Sequence, residues 1–319
     1  PDVLTAPLAA HTAAGVFTGT YAGPGRSAME QDFERNLALI YAHADTPRLS
    51  GVQIKAPMTL GPDGKLSPSI GTPFTHILKP AGTSGFEALP LVEWLGLSLA
   101  REAGFTVPAA ALIAMPDGMS PALLVERFDI RTEANDQRLL AMEDFCSVLD
   151  LAPEAKYEGT IERVARALKA LSTSPDEDLL ILVKRALFAW LIADGDMHLK
   201  NMAVLKIAGP GDPAFRSVRL APVYDTLTTR VFPRLEHDRM ALKLNGKDER
   251  LKRADFLGVA AIAGLRASDT NAAIDDVLQR MQAAVAAMTL PKLPDYGPSG
   301  EATVNRTLEI CRERIVSFA

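Results

Sequence analysis

The stretch Asp196-Met-His-Leu-Lys-Asn201 says more about fold and chemistry than any other part of this chain. A second acidic residue, Asp225, ends the stretch Leu220-Ala-Pro-Val-Tyr-Asp225 about two dozen residues later. This order offers one carboxylate to an acceptor hydroxyl, and then an amide oxygen and a second carboxylate to a metal on phosphates. The pattern therefore predicts a phosphotransferase, with Asp196 as the base and Asn201 and Asp225 as metal ligands.

Composition limits the class of protein. Hydrophobic residues make up 48% of the 319 residues and charges of both signs are interspersed, which predicts a packed core rather than disorder. The net charge of −5 argues against a broad electrostatic contact with nucleic acid. Cys146 and Cys311 lack metal-ligand spacing, and the most apolar run, Ala186–Ala193, is too short to cross a bilayer. We expect a reduced, cytoplasmic protein without a membrane contact.

The secondary-structure signals change character near residue 129. Before it, short alternating strands flank one helix, which opens at Pro90 and stops at Gly104. After it the signals are mainly helical, and the spacing from Asp196 to Asn201 is that of a protein-kinase catalytic loop. We predict an α+β, two-lobed, protein-kinase-like fold, with a small β-rich lobe over residues 1–128 and a mostly helical lobe over 129–319. Helices are expected at Glu143–Leu149, Ile161–Leu171, Asp176–Ala193, Ala254–Ala267, Thr270–Met288 and Thr303–Ser317.

Four residues of the β-rich part fit the nucleotide half of such a site. Lys79 ends a predicted strand, as the phosphate-pairing lysine of kinases does, and Glu93 follows on the helix, where it can pair with Lys79. Glu126 and Phe128 fall where the chain passes between the lobes. There the backbone would hydrogen-bond to adenine, and Phe128 would cover its ring. Taken singly, each also fits an ordinary structural role, so their order along the chain is what favours this interpretation.

The segment before the predicted strands is a weak match to a phosphate-binding loop, because it has one glycine where kinases usually have three. Its candidate nucleotide contacts are Ser50, Gly51, Val52, Gln53 and Lys55. An alternative for Ser50 is a turn residue that hydrogen-bonds its own backbone.

Three further residues near the two acidic stretches are candidates. His198 would orient the loop or contact phosphate, although a structural hydrogen-bonding role is equally consistent with a single histidine. Lys200 would neutralise the transferring phosphoryl group, or lie solvated at the surface. Tyr224, directly before Asp225, is placed on the nucleotide side of the site.

Six strings in this order resemble the HipA-like serine/threonine protein kinases, the toxin components of bacterial toxin–antitoxin pairs. They run from about residue 48 to about residue 230. The resemblance implies transfer of phosphate from ATP, with Mg²⁺, to a serine or threonine of a protein, characteristically an aminoacyl-tRNA synthetase, which arrests translation. The matching strings are Ser50–Lys55, Thr75–Lys79, Val125–Asp129, Glu143–Cys146 with Lys156–Glu158, Asp196–Asn201 and Leu220–Asp225.

The resemblance also implies partners and self-modification. Family members are held by a cognate antitoxin, so DNA would be reached only through that protein. They autophosphorylate a serine near the phosphate loop, for which Ser50 is the candidate here. The chain resembles a short form without the usual N-terminal subdomain, which a separate small subunit would then supply.

Two other functions remain open. Antibiotic and choline kinases use a related Asp-to-Asn loop, so a small-molecule kinase is the alternative enzyme. A catalytically silent module would bind nucleotide without turnover, but the presence of Lys79, Asp196, Asn201 and Asp225 argues against it. Phosphorylated protein, as opposed to a phosphorylated metabolite, separates the first two functions.

Overall fold

The computed structural model describes residues 6–28, 55–69, 74–82, 85–133, 136–209, 211–293, 296 and 299–318. The chain divides into two compact units. The first comprises Pro1–Leu95, Pro108–Gln137 and Thr289–Arg306, and the second comprises Gly96–Val107, Arg138–Met288 and Thr307–Ala319. Strands and helices are both abundant, which confirms the predicted α+β class. None of the described helices combines the length and apolar character needed to cross a membrane.

Among the described residues, the first unit is built on an eight-stranded sheet. The strand order is β1-β2-β7-β8-β6-β4-β5-β3, and neighbours are antiparallel except for the pairs β2–β7 and β3–β5. Between β4 and β5, Gly61–Gly64 makes a tight turn, with Gly64 in the left-handed region at φ 79°. The strands are β1 Thr12–Ala13, β2 Val16–Phe17, β3 Thr20–Tyr21, β4 Ala56–Leu60, β5 Lys65–Pro68, β6 His76–Lys79, β7 Ala110–Ile113 and β8 Ala122–Glu126.

The two faces of this sheet serve different purposes. Because side chains alternate along a strand, Leu78 and Lys79 of β6 point to opposite faces. Leu78 joins a buried apolar cluster, whose other members include Leu8, Met58, Leu60, Leu66 and Leu124. On the other face, Lys79 pairs with Glu93 of helix α1, Leu89–Glu102, which ends near Gly104 at φ 89°. The apolar cluster thus fixes β6 so that its last residue presents a charge.

The second unit is mainly helical with a small antiparallel sheet. A strand pair, β9 Ile130–Glu133 and β10 Asp136–Leu139, precedes it, and its own sheet has the order β11-β12-β13. These strands are β11 Ala141–Asp144, β12 Ala203–Ile207 and β13 Ser217–Leu220. The remaining helices are α2 Phe145–Val148, α3 Ile161–Leu171, α4 Pro175–Leu191, α5 Arg253–Ala263, α6 Ala267–Ala287 and α7 Gly300–Phe318.

The prediction of a helix over Glu143–Leu149 was wrong at its first two residues. Glu143 and Asp144 belong to β11, where they lie opposite Val204 and Ala203 of β12. Only Phe145–Val148 is helical, and the Asp144 side chain caps it by accepting the N–H of Ser147 at 3.0 Å. Strand pairing with a segment distant in sequence therefore outweighs the local helical signal.

A buried carboxylate fastens the start of α4 to the small sheet. Asp178 is 1% exposed and accepts hydrogen bonds from the Ser172 hydroxyl at 2.6 Å and from the Leu220 N–H at 3.0 Å. It also pairs with the guanidinium of Arg219 at 3.1 Å. Pro175 occupies the first turn of α4, and the Ser174 side chain before it makes no capping hydrogen bond. Both ends of the segment from α4 to β13 are thus held, and the candidate catalytic loop lies within it.

We expect the stability of the protein to depend on pH through His76. This residue is 1% exposed, and its Nδ1 lies 2.8 Å from the Thr75 hydroxyl. Burial lowers the pKa of His76 from 6.5 to about 4, so the unfolded chain takes up a proton at a pH where the folded chain does not. The resulting stability is present above pH 6.5 and is lost as pH falls toward 4, by up to roughly 3 kcal/mol.

His76→Gln removes this titration while keeping a polar side chain of similar length. Chemical denaturation between pH 7 and pH 5 should give a shallower loss of unfolding free energy for the variant than for the unmodified chain, as linkage requires. Equal slopes for the two proteins would contradict the assignment.

Candidate active site

Asp196 lies on the loop that joins α4 to β12. Helix α4 is buried along most of its length, and the chain leaves it through Ala193, which adopts a left-handed backbone at φ 57°. A short 3₁₀ turn over Leu199–Asn201 then leads into β12. A loop fixed at both ends by buried elements is suited to aim a carboxylate.

Three side chains hold Asp196. The hydroxyl of Tyr157 donates to Asp196 Oδ1 at 2.5 Å. The side-chain amide of Asn201 donates to the backbone carbonyl of Asp196 at 2.7 Å, and Asp194 Oδ1 accepts its N–H at 3.0 Å. The carboxylate and both backbone groups of Asp196 are therefore fixed, as a positioned base requires.

The surroundings of Asp196 favour its protonated form. The pKa of Asp196 is raised to about 6, mainly by burial and also by the negative charges of Asp225 and Asp238, against the lowering effects of the Tyr157 hydrogen bond and Lys156. A carboxylate with a raised pKa is a better proton acceptor than a solvated one. The side chain of Asp194, which accepts the Asp196 N–H and the hydroxyl of Thr226, connects the segments that carry Asp196 and Asp225.

Asn201 and Asp225 have the chemistry of ligands for a hard cation. Because the Asn201 amide nitrogen is bonded to the Asp196 carbonyl, its Oδ1 is turned away as an acceptor. Together with the Asp225 carboxylate it makes an oxygen donor set, which Mg²⁺ prefers. The described residues contain no cluster of three or more His, Cys, Asp or Glu suited to a metal. An amide oxygen and a carboxylate oxygen are chemically suited to Mg²⁺, which commonly takes few protein ligands and keeps water and phosphate oxygens.

Asp194 is a site residue that the sequence interpretation missed. It is 1% exposed, and its Oδ2 accepts the hydroxyl of Thr226, the residue after Asp225, at 2.8 Å. Burial raises the pKa of Asp194 to about 7, against the lowering effect of the Thr226 hydrogen bond. Its position at the buried end of α4 was the available signal, but Asp in a turn before glycine is common and was not informative.

Arg185 and Tyr224 support the same loop from its other end. Arg185, on α4, is 2% exposed and donates to the backbone carbonyl of Asn201 at 2.5 Å. The Tyr224 hydroxyl donates to the carbonyl of Lys200 at 2.9 Å, and burial raises the pKa of Tyr224. Tyr224 was predicted to contact nucleotide, and in the structure its hydroxyl bonds to the loop that carries Asp196.

His198 and Lys200 take structural contacts. His198 is 3% exposed and packs edge-on against the Tyr157 ring, with 5.0 Å between centroids, which agrees with the loop-orienting alternative. Lys200 Nζ lies 2.6 Å from Asp144 Oδ2, so the ammonium is paired with the cap of α2. A role for Lys200 toward a phosphoryl group would require it to leave that partner.

In the first unit, the predicted pair of Lys79 and Glu93 is present. Lys79 Nζ donates to Glu93 Oε1, and the side chains are 6% and 1% exposed. A buried lysine without a carboxylate partner would tend to lose its proton, so the pair keeps Lys79 charged. A charged, fixed ammonium is what a phosphate-binding lysine needs.

The other nucleotide candidates of this unit differ in what the structure describes. The N–H of Glu126 donates to the Ala109 carbonyl at 2.9 Å, and its carboxylate accepts the N–H of Leu8 at 2.7 Å. An adenine contact at Glu126 would therefore have to use its backbone carbonyl. Phe128 is half-buried, and Lys55 is exposed directly before β4. Outside the described residues lie Ser50, Gly51, Val52 and Gln53.

Comparison with known proteins places the chain in a family. The profile of the HipA-like C-terminal domain family matches residues 48–285, so the chain belongs to that family, as the six strings indicated. "Putative kinase Y4mE" of Sinorhizobium fredii (strain NBRC 101917 / NGR234) is 34% identical over 224 residues, covering 66% of this chain and 48% of that protein. "Putative kinase Y4dM" of the same strain is 30% identical over 195 residues, covering 57% and 44%. The chain spans about half the length of these curated relatives.

A solved structure supports the fold. HipA from the toxin–antitoxin system of Shewanella oneidensis MR-1, in complex with HipB and operator DNA, matches with a TM-score of 0.72 at 18% identity. The match covers 85% of this chain and 65% of the Shewanella protein. The predicted kinase-like α+β fold is therefore confirmed.

Gly96 of α1 allows a close approach beside Asp225, and its substitution tests the packing. A Cβ at Gly96 would lie 2.2 Å from the backbone oxygen of Thr226, which no side-chain rotation can relieve. Helix propensity alone would make Gly96→Ala stabilising by about 1 kcal/mol. We expect the overlap to dominate, so that this variant lowers the free energy of unfolding by about 1–3 kcal/mol.

Gly258→Ala is the matched control, because Gly258 lies in the interior of α5. Its added Cβ would lie 3.8 Å from the Asn245 side chain, an ordinary contact, so the variant should gain up to about 1 kcal/mol. Denaturant unfolding of both variants provides the measurement. A Gly96→Ala protein as stable as the Gly258→Ala protein would show that the approach of Thr226 is not a constraint.

Proposed function

We propose that this protein is a kinase that transfers the γ-phosphoryl group of ATP, with Mg²⁺, to a serine or threonine of a protein. The observation that carries the proposal is that hydrogen bonds hold the Asp196 carboxylate in place. The side-chain nitrogen of Asn201 bonds to the Asp196 carbonyl and leaves its oxygen available, and the charge of Asp225 raises the pKa of Asp196. Membership of the HipA-like family and two relatives named as kinases give independent support.

The residues divide the chemistry as follows. Tyr157 occupies Asp196 Oδ1, so Oδ2 remains for the acceptor hydroxyl. The hydroxyl gives its proton to Asp196 as its oxygen bonds to the γ-phosphorus and the bond from that phosphorus to the ADP oxygen breaks. Lys79, kept charged by Glu93, would neutralise phosphate oxygens. Asn201 and Asp225 would hold Mg²⁺, which supplies positive charge to the phosphates when bound.

We further propose that the kinase acts as a bacterial toxin in the cytoplasm, phosphorylating an aminoacyl-tRNA synthetase and thereby arresting translation. Its partners would be a cognate antitoxin and a separate small subunit. The Shewanella relative was solved with HipB and operator DNA, which supports an antitoxin partner. The net charge of −5 favours contact with DNA through that partner rather than directly. Ser50 is the proposed site of autophosphorylation.

Asp196→Asn tests the base. The amide keeps the shape of the side chain but cannot take up a proton, so we expect transfer of γ-labelled phosphate to protein to fall by about 100-fold or more. ADP binding should change little, because the base acts on the acceptor. Asp176→Asn, at an exposed position in the first turn of α4, is the control and should match the unmodified chain.

The same assay in a cell lysate separates the candidate functions, with phosphosite mapping of the labelled proteins and of Ser50. Label in protein, lost with Asp196→Asn, supports a protein kinase. Label that appears only in small molecules supports a metabolite kinase instead. Nucleotide binding without any transfer would support a silent module.

Asp225→Asn tests the metal site. Asparagine tolerates the left-handed backbone seen at Asp225, φ 53°, so the fold should be retained. Loss of the charge should weaken ADP binding in the presence of Mg²⁺ by roughly tenfold or more, while binding in EDTA stays the same. Calorimetric titration with ADP under both conditions measures this difference. If Mg²⁺ still strengthens ADP binding to the variant as it does for the unmodified chain, Asp225 is not a ligand.

A further inference from the structure

We propose that Asp194 is a positioning residue that ties the loop carrying Asp196 to the segment carrying Asp225. This inference rests on the proposed kinase function and adds a residue whose carboxylate touches neither nucleotide nor acceptor. It would act through Asp196, whose N–H it binds, and through Asp225, whose neighbour Thr226 it binds.

The network is direct. Asp194 Oδ1 accepts the N–H of Asp196 at 3.0 Å, and Oδ2 accepts the hydroxyl of Thr226 at 2.8 Å. One buried side chain thus holds the base directly, through its N–H, and the residue that follows Asp225, through its hydroxyl.

All the partners of Asp194 in this network are donors. A carboxylate, which offers two acceptor oxygens, suits them, whereas a hydrophobic side chain would leave the Asp196 N–H and the Thr226 hydroxyl without acceptors. At 1% exposure, water would not replace the lost bonds without entering the core, so their loss is costly. The carboxylate therefore supports the geometry of both segments, through a local bond to Asp196 and a bond to Thr226, which is distant in sequence.

Thr226 and Thr228 provide a matched pair. The Thr226 hydroxyl binds Asp194, whereas the hydroxyl of Thr228, equally buried, has no hydrogen-bond partner in the part of the chain that the structure describes. Valine replaces threonine with nearly the same shape and removes only the hydroxyl. Thr226→Val therefore cuts the connection to the Asp225 segment, and Thr228→Val controls for the substitution itself.

The experiment measures ADP binding at increasing Mg²⁺, ADP binding in EDTA, and phosphate transfer, all on the full chain. For Asp194→Ala we expect the Mg²⁺ concentration for half-maximal effect to rise about tenfold and kcat to fall about 100-fold, with binding in EDTA unchanged. Thr226→Val should raise the Mg²⁺ requirement about threefold and Thr228→Val should leave it unchanged. In the Asp194→Ala background, Thr226→Val should add nothing, because its partner is already absent.

Hydrogen exchange of the ligand-free protein gives a readout that needs neither metal nor turnover. The amide hydrogen of Asp196 should exchange faster in Asp194→Ala, since it loses its acceptor. If Asp194→Ala fails to fold, the comparison of Thr226→Val with Thr228→Val decides the question.

The outcomes are separable. An unmodified chain that responds to Mg²⁺ and transfers phosphate, while Asp194→Ala and Thr226→Val behave like Thr228→Val, overturns the inference and leaves the proposed function standing. An unmodified chain that neither binds ADP with Mg²⁺ nor transfers phosphate overturns the proposed function, and the inference with it. A raised Mg²⁺ requirement in Thr226→Val, absent in Thr228→Val, supports the inference.

Discussion

The constraint on which the site depends is that the loop from Asp194 to Asn201 is buried and yet belongs to no helix or sheet for most of its length. Its backbone groups cannot bond to a regular ladder, so backbone groups of turns and neighbouring loops bond some of them and side chains bond others. Asn201, Arg185 and Tyr224 do this at carbonyl groups, and Asp194 does it at an N–H. The residues that hold the loop in its conformation are therefore largely the residues that surround the proposed catalytic and metal-binding groups.

Charge is managed in the first unit by the same logic. Lys79 and Glu93 are nearly inaccessible to water, and removing either would break a buried ion pair, which is costly. The apolar cluster on the far face of β6 fixes the strand and so holds the backbone of Lys79 where its side chain reaches Glu93. The position of Lys79 therefore depends on the strand, and its charge depends on the pair with Glu93.

Much of this arrangement could be predicted from the sequence because its signals are local. The spacing from Asp196 to Asn201, the strand ending at Lys79 and the Pro90 and Gly104 limits of α1 all reflect short-range geometry. The division into lobes at residue 128 and the chemical roles of the site residues remain predictions. What was missed depends on contacts between distant segments: Asp144 pairs in a sheet with β12, Tyr157 reaches Asp196, and Asp194 reaches Thr226. Composition and periodicity do not encode such contacts, since each residue taken alone fits an ordinary surface or turn position.

The left-handed backbone at Asp225, the proposed metal ligand, costs conformational free energy. With φ at 53°, a residue with a Cβ is strained there, and glycine would relax the backbone while deleting the carboxylate. Conformational ease and cation affinity are therefore opposed at one position. Selecting this protein for heat resistance alone would favour a variant that folds more firmly and has lost its chemistry.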